Sequence, residues 1–276
     1  MEEPIVTQTG PYPTDEAYGE VAALRYNEFE SRSTGFARRI APLIAALYTD
    51  RSIADINPAV LDIGCGTGQL ASYLLDRGIP VTGIDPSKYM INHAIRNNAA
   101  HVSTGRARFL IMDGAELDLP GSYGLAVATF NTLNHFPSQE RLESCLARVH
   151  GAMEPGGCFL FDINTRRGLE QTAEIAELSE TPDETTVRIR RWEDDRLLLY
   201  ATGWFHYGQD RWRYCETISK LVIDTESLCR TMASIGWTDL RYITEDYRTP
   251  VENPEAGARA YGVAWKGLDR SSPGDN

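Results

Sequence analysis

Val60-Leu61-Asp62-Ile63-Gly64-Cys65-Gly66-Thr67-Gly68 ends an apolar run on three alternating glycines and opens a helical stretch. Glycines at a strand-to-helix turn let the backbone bend sharply and approach a ligand without Cβ clashes. The helix start beyond them adds amide donors and a positive dipole end, suited to a carboxylate or phosphate. Asp62 lies inside the run, where a pyrophosphate cradle has no use for it; it suits a ligand carrying an ammonium group. The next run ends in Asp85, 17 residues after Gly68, where a carboxylate can accept both hydroxyls of a ribose. Asp113 ends a third run in the same way. After a fourth run, in Thr129-Phe130-Asn131-Thr132-Leu133-Asn134-His135, His135 supplies an imidazole that titrates near neutrality and can take a proton from a hydroxyl or ammonium. Its competing role is to cap or pack the helix that starts near Ser138.

Holding these groups along one crevice takes alternating strands and helices. AVLDI (59–63), PVTGID (80–85), RFLIMD (108–113), LAVATF (125–130) and GCFLFDIN (157–164) read as strands, with helices at Gln69–Arg77, Ser87–Asn98 and Ser138–Met153. Short continuous apolar runs separated by helices indicate parallel strands covered on both faces. Ala17 to about Tyr48 reads as helical, with Phe36, Ile40, Leu43, Ile44 and Leu47 on one apolar face. After Arg167 the rhythm becomes antiparallel at 186–192, 197–207 and 211–223, where Trp212, Tyr214 and Glu216 face one way and Arg211, Arg213 and Cys215 the other. Thr225 caps a helix to about Ile235, and strands near 238–244 and 259–266 close the chain. The expected fold class is α/β: a doubly wound, seven-stranded, mostly parallel sheet with an antiparallel β insertion after the fifth strand. The expected divisions are a flexible N-terminus at 1–15, an α/β core at 16–165, the insertion at 166–224, a returning helix and strand pair at 225–267 and a flexible tail at 268–276.

A nicotinamide or flavin fold is the first competitor, but its G-x-G-x-x-G/A fingerprint would start at Gly64 and needs a small residue where this chain has Gln69. Instead the residues resemble the class I S-adenosylmethionine-dependent methyltransferases. LDIGCGTG is similar to their glycine motif, GIDPSKYMI (83–91) to their acidic second motif and MDGAEL (112–117) to their third. TFNTLNHF (129–136) resembles their segment after the fourth strand, and EPGGCFLFDIN (154–164) their approach to the fifth. The resemblance covers roughly residues 17–165, and implies the Rossmann-like methyltransferase fold with S-adenosylmethionine as cofactor and S-adenosylhomocysteine as product. It implies that Gly64, Cys65, Gly66 and Thr129 pass near the cofactor, with Asp62 at its amino group. Asp85 would bind the ribose, Pro86 and Met90 would lie beside the adenine, Asp113 would accept the adenine amino group, and Gly114 and Ala115 would offer backbone donors. Small-molecule members of bacterial secondary metabolism, among them amino-sugar N-methyltransferases, are the most similar. There an N-terminal tyrosine and a histidine meet cofactor and acceptor at positions matching Tyr18 and His135. Tyr26 is the alternative tyrosine, although Asn27 stands where many such enzymes continue with Asp.

The segment 181–220 carries seven basic and seven acidic residues and seven aromatics, whereas the chain of 276 residues has a net charge of −12. Its aromatic face would roof an acceptor pocket or form a subunit contact in a homodimer. A pI near 4.9 argues against a backbone-gripping nucleic-acid binder, so a small-molecule acceptor is expected. No run approaches the roughly 18 apolar residues of a membrane span. The acidic, proline-broken start does not resemble a signal peptide, and five cysteines without C-x-x-C spacing read as reduced thiols of a cytoplasmic protein. No metal site is expected, because the five histidines have no paired spacing. The expectation is methyl transfer to N, O or C of a small molecule, with a non-methylating relative such as a cyclase, or a binding protein, as the alternative.

Overall fold

Every strand expected between residues 59 and 164 is present, and the five lie side by side and parallel in one sheet. The computed structural model describes residues 16–31, 35–119, 122–246 and 248–268. The expectation of flexible ends at 1–15 and 268–276 lies outside the described residues, apart from Leu268. The strands are β1 (Val60–Ile63), β2 (Val81–Asp85), β3 (Ala107–Ile111), β4 (Tyr123–Ala128), β5 (Met153–Asn164), β6 (Ala176–Thr181), β7 (Glu184–Glu193), β8 (Arg196–Tyr207), β9 (Asp210–Leu221), β10 (Trp237–Ile243) and β11 (Arg259–Lys266). The larger sheet has the order β10-β11-β5-β4-β1-β2-β3, with β11 antiparallel to both β5 and β10. Every residue of β1 and β4 is buried, which is why those strands are apolar on both faces.

The helices are α1 (Glu20–Ser31), α2 (Phe36–Asp50), α3 (Ile53–Ile56), α4 (Gln69–Leu75), α5 (Lys88–Asn97), α6 (Ala99–Ser103), α7 (Gln139–Ala152), α8 (Arg166–Glu170) and α9 (Thr225–Ile235). On one face of the sheet, α2 buries Phe36, Ile40, Ile44 and Leu47 with α4 and α5 beside it. On the other, α7 buries Leu142, Cys145, Leu146 and Val149 next to α9. These are the helical steps of three and four that put side chains on one face. Carrying side chains on both faces, the sheet leaves its strand C-termini free to hold loops, and the glycine turn lies there.

Three local expectations change. The helical run from Ala17 to Tyr48 is two helices, and Tyr18 precedes the first with φ at +55°. Asp224, not Thr225, caps α9 by accepting from Ser227 N–H at 2.7 Å; Thr225 is inside the helix, its carbonyl taking the Tyr242 hydroxyl at 2.9 Å. The insertion has four antiparallel strands, β6-β7-β8-β9, instead of three. Five of the six residues of β6, AELSET, are exposed, so this edge strand has no buried face to impose alternation. The insertion sheet packs its inner face on α1, where Val21 and Leu24 meet Ala201, Phe205 and Tyr214. Arg25 lies over the Tyr214 ring and donates to Glu184 at 2.7 Å.

Candidate cofactor and acceptor site

The turn after β1 is built from left-handed backbone, with φ of +65° at Gly64 and +53° at Gly66, a region L side chains avoid. At Gly64 a Cβ would also come within 2.6 Å of Thr132 Cγ2. The Gly66 N–H donates to Asp85 Oδ2 at 3.1 Å, and Ser87 N–H donates to Asp85 Oδ1 at 2.8 Å. This carboxylate is thereby fixed at the end of β2 facing the glycine turn. Burial pushes it up to about 6, against the two backbone hydrogen bonds that hold it down.

Asp62 is 2% exposed, and its Oδ2 has no hydrogen-bond partner among the described residues. Burial, and then the charge of Asp85, push its carboxyl up to about 8. An unsatisfied buried carboxylate oxygen is costly unless a ligand completes it. Asp113 turns back on itself, accepting from Ala115 N–H at 2.8 Å, while its Oδ2 accepts from Arg141 Nη2 at 2.6 Å.

Beyond β4 the chain passes Thr129 and takes two consecutive left-handed residues, Phe130 and Asn131, with φ of +60° and +56°. Such backbone in bulky residues is strained and persists where its surroundings hold it. Asp162 on β5 does so, accepting from Phe130 N–H at 2.6 Å and Asn131 N–H at 2.9 Å, with Arg259 paired to it at 3.0 Å. The 3₁₀ turn Thr132–His135 follows and ends on His135. Ser138 caps α7 itself, accepting from Arg141 N–H, so His135 has no capping role there. Its Nε2 faces the Tyr18 hydroxyl at 3.5 Å, with ring centroids 5.7 Å apart. Burial, followed by the positive charges of Lys220 and Arg196, holds the imidazole down to about 3. The Tyr18 phenol is pushed well up by burial, then by Glu216 and Asp85. The Tyr18 carbonyl accepts from Ser87 Oγ at 2.9 Å, which ties the segment before α1 to the turn carrying Asp85.

One cleft of about 780 Å³, counting its open mouth, is lined by Tyr18, Gly64, Gly66, Asp85, Pro86, Met90, Asp113, Gly114, Thr129 and His135. Tyr26, Phe130 and Thr132 complete its wall. An adjoining lobe shares Tyr26, Gly64, Thr129 and Phe130 and adds Asp62, Cys65 and Thr67. The residues expected to meet a ligand therefore come together, with one exception. Ala115 lines neither lobe; it is buried, and its N–H is taken by Asp113. Cys65 reaches the lobe, but its buried thiol, pushed well up by burial, points toward Gly83 and Phe109. Tyr26 and Tyr18, weighed against each other from sequence, both line the cleft and meet edge to face at 6.2 Å.

Sequence reasoning missed Asp162, Phe130 and Arg141. For Asp162 the signal was available: a carboxylate inside the apolar strand CFLFDIN, the same pattern that marked Asp62. Arg141 is one of several charged residues on a helix surface, and nothing in its spacing separates it from the others.

A glycine turn at the mouth of a doubly wound sheet, acidic groups ending β2 and β3, and a buried carboxylate within β1 make up the Rossmann-like methyltransferase class of fold. Residues 60–157 match the family described as a methyltransferase domain. A relative from Geobacillus sp. strain WCH70, named as a methyltransferase, is 29% identical over 106 residues, 38% of this chain and 42% of that protein; the chain thus spans under half of its length. An S-adenosylmethionine-dependent methyltransferase from Clostridium acetobutylicum ATCC 824 has a similar fold, with a TM-score of 0.75, 19% identity and coverage of 89% of this chain and 97% of that one. The sugar N-methyltransferase KedS8 from Streptoalloteichus sp. ATCC 53650 is also similar in fold, with a TM-score of 0.66, 17% identity and coverage of 96% and 100%. Among the described residues no helix is long and apolar enough to cross a membrane.

The residues present fit the cofactor of this class. The orphaned Asp62 Oδ2 is matched by the amino group of a methionine arm, and Asp85 keeps free lone pairs toward the cleft beyond its two backbone donors.

Proposed function

We propose that this protein transfers a methyl group from S-adenosylmethionine to a nitrogen or oxygen of a small-molecule acceptor. The observation that carries the proposal is the unpartnered, buried Asp62 oxygen in a lobe continuous with a cleft whose other wall holds Tyr18 and His135. When bound, the cofactor supplies a methyl group already activated on a sulfonium. The chain then has to orient the two reactants and exclude water. Asp62 would accept from the cofactor's ammonium and Asp85 from its ribose hydroxyls. Pro86 and Met90 would lie beside the adenine, with Asp113, held by Arg141, as acceptor for its amino group. Met90 is buried at 2% exposure and offers an apolar wall to the ring.

At the other end a neutral His135 accepts a hydrogen bond from an acceptor N–H or O–H, which aims a lone pair at the methyl group. The Tyr18 hydroxyl orients that imidazole. β9 of the insertion sheet packs on the turn that carries His135, where the Leu221 carbonyl accepts from Asn134 Nδ2 at 2.9 Å, and a roof over the acceptor end is the role we assign to the insertion. The similarity in fold to a sugar N-methyltransferase favours amino and hydroxy compounds as the first acceptors to try. The test is transfer of labelled methyl from S-adenosylmethionine to a panel of small amines and alcohols, with S-adenosylhomocysteine binding measured by calorimetry. Tight binding with no transfer across a broad panel would overturn methyl transfer as the activity.

A further inference from the structure

Phe130, with Tyr26, Gly64 and Thr129, lines both the cleft and the lobe that holds Asp62. Its ring stacks on Phe36, with centroids 4.8 Å apart and 15° between the planes, and meets Tyr26 at 6.2 Å. Phe36 is itself part of the lobe wall. The backbone that places this ring is the strained part of the site, with φ of +60° at Phe130 and +56° at Asn131. A bulky L residue enters that region only under constraint.

The constraint reaches the turn from two other strands. Asp162, wholly buried on β5, accepts from Phe130 N–H with one oxygen at 2.6 Å and from Asn131 N–H with the other at 2.9 Å. Arg259, at the start of β11, places Nη1 3.0 Å from that second oxygen. The same guanidinium lies over the Phe36 ring at 4.7 Å and the Phe130 ring at 5.6 Å. One side chain thus meets both the carboxylate that bonds the strained amides and the two rings those amides position. Strand pairing fixes Arg259 in turn. It stands opposite Asn164 in register, and Thr165 Oγ1 donates to the Gly257 carbonyl at 2.6 Å. Arg259 lines neither the cleft nor the lobe, so it acts on a bound ligand only through these contacts.

We propose that Arg259 is a positioning residue for the methyl-transfer site, acting through Asp162 to hold Phe130 and Asn131 in the left-handed turn that walls both the cleft and the lobe. This rests on the methyltransferase reading and adds the residue that keeps its site in shape. A buried carboxylate without its cation is uncompensated and takes up a proton. Protonation turns one oxygen into a donor, which weakens the amide bond that oxygen accepted and frees the turn to relax. Burial pushes the Asp162 carboxyl up, while Arg259 and the two amides hold it down. The other titratable groups that act on it are Glu245 beyond β10, Tyr261 opposite it on β11 and Lys220 on β9. Arg259 is the one among these in ion-pair contact with the carboxylate.

The test compares the full wild-type chain with Arg259→Met and Arg259→Lys, with S-adenosylhomocysteine as the probe. Calorimetry at pH 6 and pH 9 gives the ratio of wild-type to variant affinity, in which the titrations of Asp62 and Asp85 cancel. Arg259→Met should bind about tenfold more weakly at pH 6 and within about threefold of the wild type at pH 9, where Asp162 ionises without its partner. Arg259→Lys restores a cation and should stay within about threefold at both. A loss in Arg259→Met that is equal at the two pH values, or shared by Arg259→Lys, means that the arginine only packs against the rings and overturns the proposal. Unchanged affinity in Arg259→Met overturns it too. Amide exchange in the ligand-free wild-type chain, read by NMR, covers a variant that does not fold. The Phe130 and Asn131 N–H groups should exchange at least about a hundredfold more slowly than unprotected amides, and exchange near the unprotected rate overturns the proposal. A wild-type chain that does not bind S-adenosylhomocysteine refutes the methyltransferase reading instead, and the exchange rates separate that failure from failure of the clamp.

Discussion

The Tyr18 hydroxyl and His135 Nε2 lie 3.5 Å apart although 117 residues separate them in the chain. Three independent tethers bring them together. The Tyr18 carbonyl is held by Ser87 Oγ, Glu216 takes the Tyr18 N–H, and Asp162 fixes the strained backbone that leads into the turn ending on His135. The pair thus joins the segment before α1, the β2 turn and the loop after β4 at one wall of the cleft.

Removing either partner should separate chemistry from cofactor binding. His135→Asn and Tyr18→Phe are expected to lower kcat by about 10- to 100-fold and to leave S-adenosylhomocysteine affinity within about threefold. Equal losses in both quantities, measured by steady-state kinetics and calorimetry, would show that the pair supports the fold of the cleft and not the acceptor.

The pH profile of kcat/KM follows from the His135 environment. With the imidazole held down to about 3, the free enzyme keeps it neutral and able to accept a proton throughout the range from pH 5 to 8. With S-adenosylmethionine saturating, so that Asp62 and Asp85 are already engaged, no rising limb that depends on His135 should appear near the ordinary histidine value of about 6.5 in kcat/KM for the acceptor. A limb there that disappears in His135→Asn would show an imidazole with an ordinary proton affinity.

Asp62 should release a proton when its partner arrives. Its carboxyl sits at about 8 in the free protein, so it is largely protonated at pH 7, and an adjacent ammonium favours the ionised form. Calorimetry in buffers of different ionisation enthalpy should report release of up to one proton on S-adenosylmethionine binding, absent in Asp62→Asn, with affinity reduced at least tenfold. The stability of the free protein moves the other way. The raised carboxyl value contributes stability below the unfolded value of about 4, lost as pH rises through about 8. Asp62→Asn should therefore gain in Tm over the wild type as pH increases across that window.

Asp85→Ala should weaken cofactor binding by about 10- to 100-fold, through loss of the charge-assisted bonds to the ribose hydroxyls. Arg141→Gln is the milder companion. The Asp113–Arg141 pair is about a third exposed on both sides, so solvent screens it and its loss should cost little stability. Its effect on affinity should be a few-fold. An effect of Arg141→Gln as large as that of Asp85→Ala would mean that the arginine itself touches the ligand.

Gly64→Ala should destabilise the chain by about 1–3 kcal/mol in urea unfolding, because the new Cβ meets Thr132 at a positive φ. The double variant Gly64→Ala/Thr132→Ala relieves the collision and leaves the backbone strain. It should recover part of the loss and not all of it. Full recovery would show that φ at this position carries no cost.

What adjacent residues encode was readable without a structure. Apolar runs marked the five parallel strands, glycine spacing marked the turn, and the carboxylates Asp62, Asp85 and Asp113 marked groups that the sheet gathers at one cleft and its adjoining lobe. Each of these is a short-range pattern, set by strand alternation, helix period or the φ demanded of one residue. The polar strand β6 was not readable, since a strand exposed on both faces has no pattern to show. Neither were the Asp162 brace or the Arg141 grip on Asp113. Those depend on which strand ends the sheet order sets side by side, and on how the insertion lies over α1 and the turn at 132–135. A charge in the sequence is only a charge; burial and the distance to its neighbours decide whether it is solvated, paired or left waiting for a partner.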